Sequence, residues 1–195
     1  MTLRKDWIQS LAGKKLTLRE LAVESIGPIE EIAHALAGEF RFTRQTRQRY
    51  TVAEHCVRGS WLLPPAFAGA FLLHELSEVY LPDIAGPLKP DLLVSMPDGS
   101  TVSWTDLERQ HTHTILTALS LDSIEPLIYS PEVKLIDLAM LAAEKEQLCA
   151  PEPESWHLTV PAAKVDLSHV WDTEKACDQF LMRFRELFGR PSDAP

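Results

Sequence analysis

Apolar residues recur at helical spacing along most of this chain. Residues 29–40 (IEEIAHALAGEF) form one such stretch. A second, 51–63, is closed by Pro64-Pro65, and Pro65 suits the first turn of a following helix, predicted over 65–80 and stopped at Leu81-Pro82. Thr105 and Glu108 match a capping box that opens a helix with Leu107, Thr114, Ile115 and Ala118 on one face. Ser130-Pro131 opens another, running to about Cys149. The Pro-rich stretch 150–164 is a connector. Asp172 then caps a last helix to Gly189, with Ala176, Phe180, Phe184 and Leu187 inward and a loose tail, RPSDAP, beyond it. Extended signals are confined to LTLREL, from Leu16, and to 92–104, around a turn at Pro97-Asp98-Gly99. The pattern predicts an all-α fold spanning 1–195 as one domain, with its core in 29–149 and one short β-hairpin.

Three polar intrusions into apolar helices change this picture. The run AFAGAFLL (66–73) ends in His74, Glu75 and Glu78. On a continuous helix His74 and Glu78 share a face, with Glu75 about 100° round from His74. His55 sits among Val52, Cys56 and Val57, and Asp137 has Val133, Met140 and Leu141 on its own side. A carboxylate in an apolar stripe requires a partner. Either His74 is a packed core histidine with solvated glutamates beside it, or two histidines and two carboxylates build an N2O2 site for a divalent transition metal.

The order His55, His74-Glu75, Asp137 resembles the H…HD…D ligand pattern of HD-domain metal-dependent phosphohydrolases. YTVAEHC (50–56) is similar to the segment around their first histidine. HELSEVYLPDIAGPLK (74–89) resembles the HDxxExxxxDIPxPLK-type stretch of bacterial 5′-deoxynucleotidases and phage HD-domain deoxynucleoside triphosphate triphosphohydrolases. VKLIDLAMLAAE resembles their last-ligand helix, and Arg41-Phe42, with Arg41 fourteen residues before His55, is placed like their Arg-aromatic pair. The likeness runs from about Ile29 to Leu148.

The resemblance implies an HD-domain helical bundle with a buried metal site formed by His55, His74, Glu75 and Asp137. It implies hydrolysis of deoxynucleotides, as a triphosphohydrolase or a 5′-deoxynucleotidase, by attack of a metal-bound water on phosphorus. Glu78 would orient or deprotonate that water, and Asp83 would meet the sugar 3′-hydroxyl or a second metal. Arg41, Lys89 and Lys134 would meet phosphate, with Arg58 a weaker candidate, and Phe42 would stack on the base. The cofactor would be Mn, Co, Zn or Fe, with Mg on the phosphates, and the assembly a dimer or higher homo-oligomer. The doublet here is His-Glu rather than His-Asp. A catalytically impaired nucleotide-binding or regulatory relative is therefore the alternative. Val79 after Glu78 counts against the ppGpp hydrolases, whose helix end reads HDxxED.

The remaining sequence narrows the partners. A net charge of −9 argues against nucleic acid, although RFTRQTRQR (41–49) is a local basic run suited to the rim of a triphosphate site. Three distant cysteines, Cys56, Cys149 and Cys177, give no CxxC pair and support neither a disulfide framework nor a zinc knuckle. No secretory h-region or 18-residue apolar run is present, so the expected compartment is the cytoplasm, away from membranes. His34 and His111 read as packed histidines. Glu144, two turns beyond Asp137, is placed to make a supporting salt bridge.

Overall fold

The computed structural model describes residues 6–189, so the RPSDAP tail lies outside the described residues. Its architecture is mostly helical: α1 Ile29–Gly38, α2 Val52–Ser60, α3 Pro65–Leu72, α4 Trp104–Ala118, α5 Glu125–Ile128, α6 Pro131–Leu148 and α7 Thr173–Phe188. Two small antiparallel hairpins accompany the helices, β1 (Ile8–Gln9) with β2 (Lys15–Leu16) and β3 (Leu93–Ser95) with β4 (Thr101–Ser103). The second is the hairpin expected around Pro97-Asp98-Gly99. In the first, residues 15–16 find a partner at 8–9, which the sequence pattern does not reveal. No helix among the described residues is long and apolar enough to cross a membrane.

Helix α7 closes the core by packing across α1, α2 and α3, and it buries Ala176, Phe180 and Phe184, spaced four apart on one face. Leu187 is only partly buried beside them. Asp172 caps α7 by accepting from the Lys175 N–H, and Gly189 ends the helix at φ +78°, where a side chain would be strained. Two glycines permit close helix approach. A Cβ on Gly59 would lie 2.1 Å from the Phe71 ring, and one on Gly69 would lie 2.7 Å from Phe188.

Two predicted boundaries differ. The cap of α4 is Ser103, whose hydroxyl accepts from the Asp106 N–H, so the helix begins ahead of the Thr105/Glu108 pair. Ser103 has the advantage because β4 delivers the chain to it in extended geometry, the backbone conformation an N-cap needs. The predicted helix 65–80 is also broken. It leaves α geometry at Leu73 (φ −108°, ψ 7°) and resumes as a 3-10 turn, Leu76–Val79. The Phe71 carbonyl accepts the His74 ring Nδ1–H at 2.6 Å, and this side-chain insertion into the backbone ladder accompanies the break.

Candidate metal centre

The break decides where the chemistry-bearing side chains point. His74 and Glu75 sit in the turn between α3 and the 3-10 segment, and both project toward one centre, with His74 Nε2 3.5 Å from Glu75 Oε1. From α2, His55 brings its Nε2 to 3.3 Å from His74 Nε2. From α6, Asp137 Oδ1 lies 3.3 Å from His55 Nε2 and 3.7 Å from His74 Nε2. One ligand atom from each of these four residues lies within 4.8 Å of every other, a group that can hold a metal ion.

The hydrogen bonds around the two imidazoles fix which nitrogens face this centre. His55 Nδ1 lies 2.5 Å from Glu144 Oε1. Burial alone would raise the Glu144 carboxyl, but the charges of Arg41 and His55 hold it below its ordinary range, so it is ionised and can only accept. The Phe71 carbonyl is likewise acceptor-only. Both Nδ1 atoms therefore carry hydrogen, and both Nε2 atoms turn inward to the two carboxylates, where each can offer a lone pair to an ion once it carries no proton. Such a set attracts positive charge, be it a proton or a metal ion. His74 shows the same demand in its proton affinity. Burial would lower its pKa, yet the Glu75 charge and the hydrogen bonds to Asp137 and Cys56 hold it well above the ordinary imidazole value.

A second layer holds the first in place. Arg41, buried, bridges Glu144 Oε2 at 3.1 Å and Glu75 Oε1 at 3.3 Å, linking a ligand to the carboxylate that orients His55. Asp137 and Glu144 stand two turns apart on α6, so His55 spans that face from one carboxylate to the other. Phe71 packs against both imidazoles, with ring centroids 4.4 Å from His74 and 5.5 Å from His55.

The centre opens on a cavity of about 800 Å³, whose walls include Arg41, Glu75, Glu78, Asp83, Lys89 and Asp137. Glu78 is buried, and its Oε2 has no hydrogen-bond partner. Burial and the nearby Glu75 and Asp83 charges push its pKa well above the ordinary carboxylate value. The loop at Asp83 is held to Glu39, whose carboxylate accepts the Asp83 N–H. Asp83 is raised by burial as well, in part offset by Arg41. Lys89 is paired with Glu108 at 2.8 Å.

Other sequence candidates fall elsewhere. Lys134 is exposed, one turn before Asp137 on α6, and lies outside the cavity lining. Arg58 is engaged by Glu54 and by the carbonyls of Asp166 and His169, which fastens the connector to α2. His111 is a packed histidine whose Nε2–H donates to the Leu18 carbonyl, and His34 is exposed. The sequence pattern missed Trp156, which reaches the cavity from the Pro-rich connector. No period or spacing marks it, because the connector has neither.

The chain is 30% identical over 184 residues to the uncharacterized protein YfdR of Escherichia coli (strain K12), covering 93% of this chain and 96% of that protein. This chain belongs to the YfdR family. No protein-family model matches it. The alignment covers nearly all of both chains, so it takes in the two helices, α2 and α6, and the turn that supply the four candidate ligands.

Proposed function

We propose that this member of the YfdR family is an HD-type, metal-dependent phosphohydrolase acting on nucleotides. The observation that carries the reading is the convergence of His55 Nε2, His74 Nε2, Glu75 and Asp137, of which Glu75 and Asp137 line a cavity of ligand size. The mixed imidazole and carboxylate set fits Mn, Co, Zn or Fe. Such an ion, when bound, supplies charge to polarise a phosphoryl oxygen and to acidify water.

The chain's own residues supply the rest. Glu78 lines the cavity, and a carboxyl raised toward neutrality is, once ionised, a stronger base than an ordinary glutamate. It takes the proton of the attacking water as the new P–O bond forms. The ester P–O bond breaks, and the 5′-oxygen leaves as the nucleoside hydroxyl with the proton that Glu78 had taken from the water, returned through solvent in the cavity. Lys89 meets the phosphate charge, and Arg41 holds Glu75 and, through Glu144, His55 in register.

Of the basic run 41–49 only Arg41 lines the cavity, and Lys89 is the second cation there. Both are already partnered by carboxylates. With Arg41 held between Glu75 and Glu144, Lys89 is the cation on the cavity wall left to meet phosphate, which suits one phosphate better than three and favours a 5′-deoxynucleotidase over a triphosphohydrolase. The alternative, a nucleotide-binding relative impaired by glutamate in the doublet, is weakened by the reach of Glu75, which lies 3.5 Å from His74 while also bonding Arg41.

The test is elemental analysis of protein purified without chelator, followed by assays on deoxynucleoside mono-, di- and triphosphates with added Mn²⁺, Co²⁺ and Mg²⁺. Release of nucleoside and inorganic phosphate that is lost in His74→Ala is the expected result. Inactivity with every ion, relieved in Glu75→Asp, would instead establish the impaired relative.

A further inference from the structure

We infer that Trp156, together with Phe42, forms an aromatic corner that receives the base of the nucleotide, making Trp156 a substrate-contact residue; this rests on the proposed nucleotide hydrolysis. The rings of Phe42 and Trp156 stand 6.2 Å apart between centroids and 40° from parallel, and both line the cavity that holds the metal centre. Their tilt makes a corner with a ring face available on each wall. Trp156 is 46% exposed despite its size. It borders the same cavity that Glu75 and Asp137 line at its metal-site end. A molecule with its phosphate at that end places a planar ring among the aromatics.

The backbone at both walls is unusual. Phe42, Thr43 and Arg44 run at φ +56°, +48° and +67°, and His157, next to Trp156, stands at φ +51°. Left-handed geometry at four non-glycine residues is costly and is retained where surrounding contacts enforce it. Those contacts are present. The Phe42 backbone lies close enough to Asp83 to help hold down its carboxyl pKa against burial. On the other wall Glu152 ion-pairs with Lys145 of α6 and accepts the Trp156 N–H at 3.4 Å, while Ser155 Oγ accepts the His157 N–H at 3.1 Å. Trp156 is thus tied to the helix that carries Asp137. Gln45, also on the lining, brings an amide beside the corner that can bond a base edge.

The test compares binding of deoxynucleoside 5′-monophosphates and of base-free 2-deoxyribose 5-phosphate by titration calorimetry, on metal-loaded wild type, Trp156→Ala and Trp156→Phe. Stacking on an aromatic side chain contributes about 1–3 kcal/mol per base, equivalent to roughly 5- to 150-fold in affinity. Wild type is expected to prefer the base-bearing ligand by a factor in that range. Trp156→Ala should lose most of the preference, Trp156→Phe should retain most of it, and affinity for the sugar phosphate should be unchanged in both. A preference undiminished in Trp156→Ala would overturn the assignment while leaving nucleotide hydrolysis intact. Failure of wild type to bind either ligand would sink both readings together.

Discussion

His55 and Glu144 meet at 2.5 Å, Nδ1 to Oε1, with both side chains fully buried. That contact commits one imidazole nitrogen and thereby aims the other at Asp137 and His74. Partners of this kind typically contribute 10- to 100-fold to metal affinity. Glu144→Gln is therefore expected to weaken metal binding by at least about tenfold, measured by competition with a chromogenic chelator. Glu144→Ala, which also strips Arg41 of its buried partner, should further destabilise the fold by about 3–5 kcal/mol in urea unfolding.

Metal affinity should rise with pH. His74 holds its proton to a higher pH than an ordinary imidazole, because Glu75 and Asp137 outweigh its burial. A metal must displace that proton, so below the raised pKa binding is opposed and releases protons. Calorimetry in buffers of different ionisation enthalpy should detect this release. Proton uptake, or an affinity that does not vary with pH, would contradict the arrangement.

Glu78→Gln should abolish turnover and stabilise the metal-stripped protein at neutral and alkaline pH. The Glu78 pKa is raised in the folded state, so its linkage favours folding below the unfolded carboxylate pKa and is lost as pH rises through the folded value. The amide removes the cost of charging a buried carboxylate whose Oε2 has no partner. Tm should rise by roughly 2–4 °C per kcal/mol relieved, and the gain should shrink in acid, where wild-type Glu78 is already neutral.

Gly59→Ala should damage the metal centre from outside it. The added Cβ would lie 2.1 Å from the Phe71 ring, which braces both imidazoles. Overpacking of this kind costs about 1–3 kcal/mol. Thermal unfolding should show that loss, and metal affinity should fall although no ligand has changed.

Much of the fold was legible because helices announce themselves locally. Ser130 and Asp172 as caps, the Ala176/Phe180/Phe184 face, and the turn at Pro97-Asp98-Gly99 each depend on residues within a few positions of one another. The four candidate ligands could be picked out for a related reason: polar groups in apolar stripes are conspicuous wherever the chain folds. Tertiary structure alone decided how they meet. Residues 65–80 read as one helix, yet the His74 ring binds the Phe71 carbonyl and the chain breaks there, so His74 and Glu75 face one centre instead of diverging by 100°. Arg41 reads as a phosphate ligand, and the fold also sets it between Glu75 and Glu144, a pairing with residues far along the chain that no local pattern reveals. Trp156 had no local signal at all. Its place over the cavity follows from the path of an aperiodic connector, which is fixed by distant contacts such as Glu152 with Lys145 rather than by its own sequence.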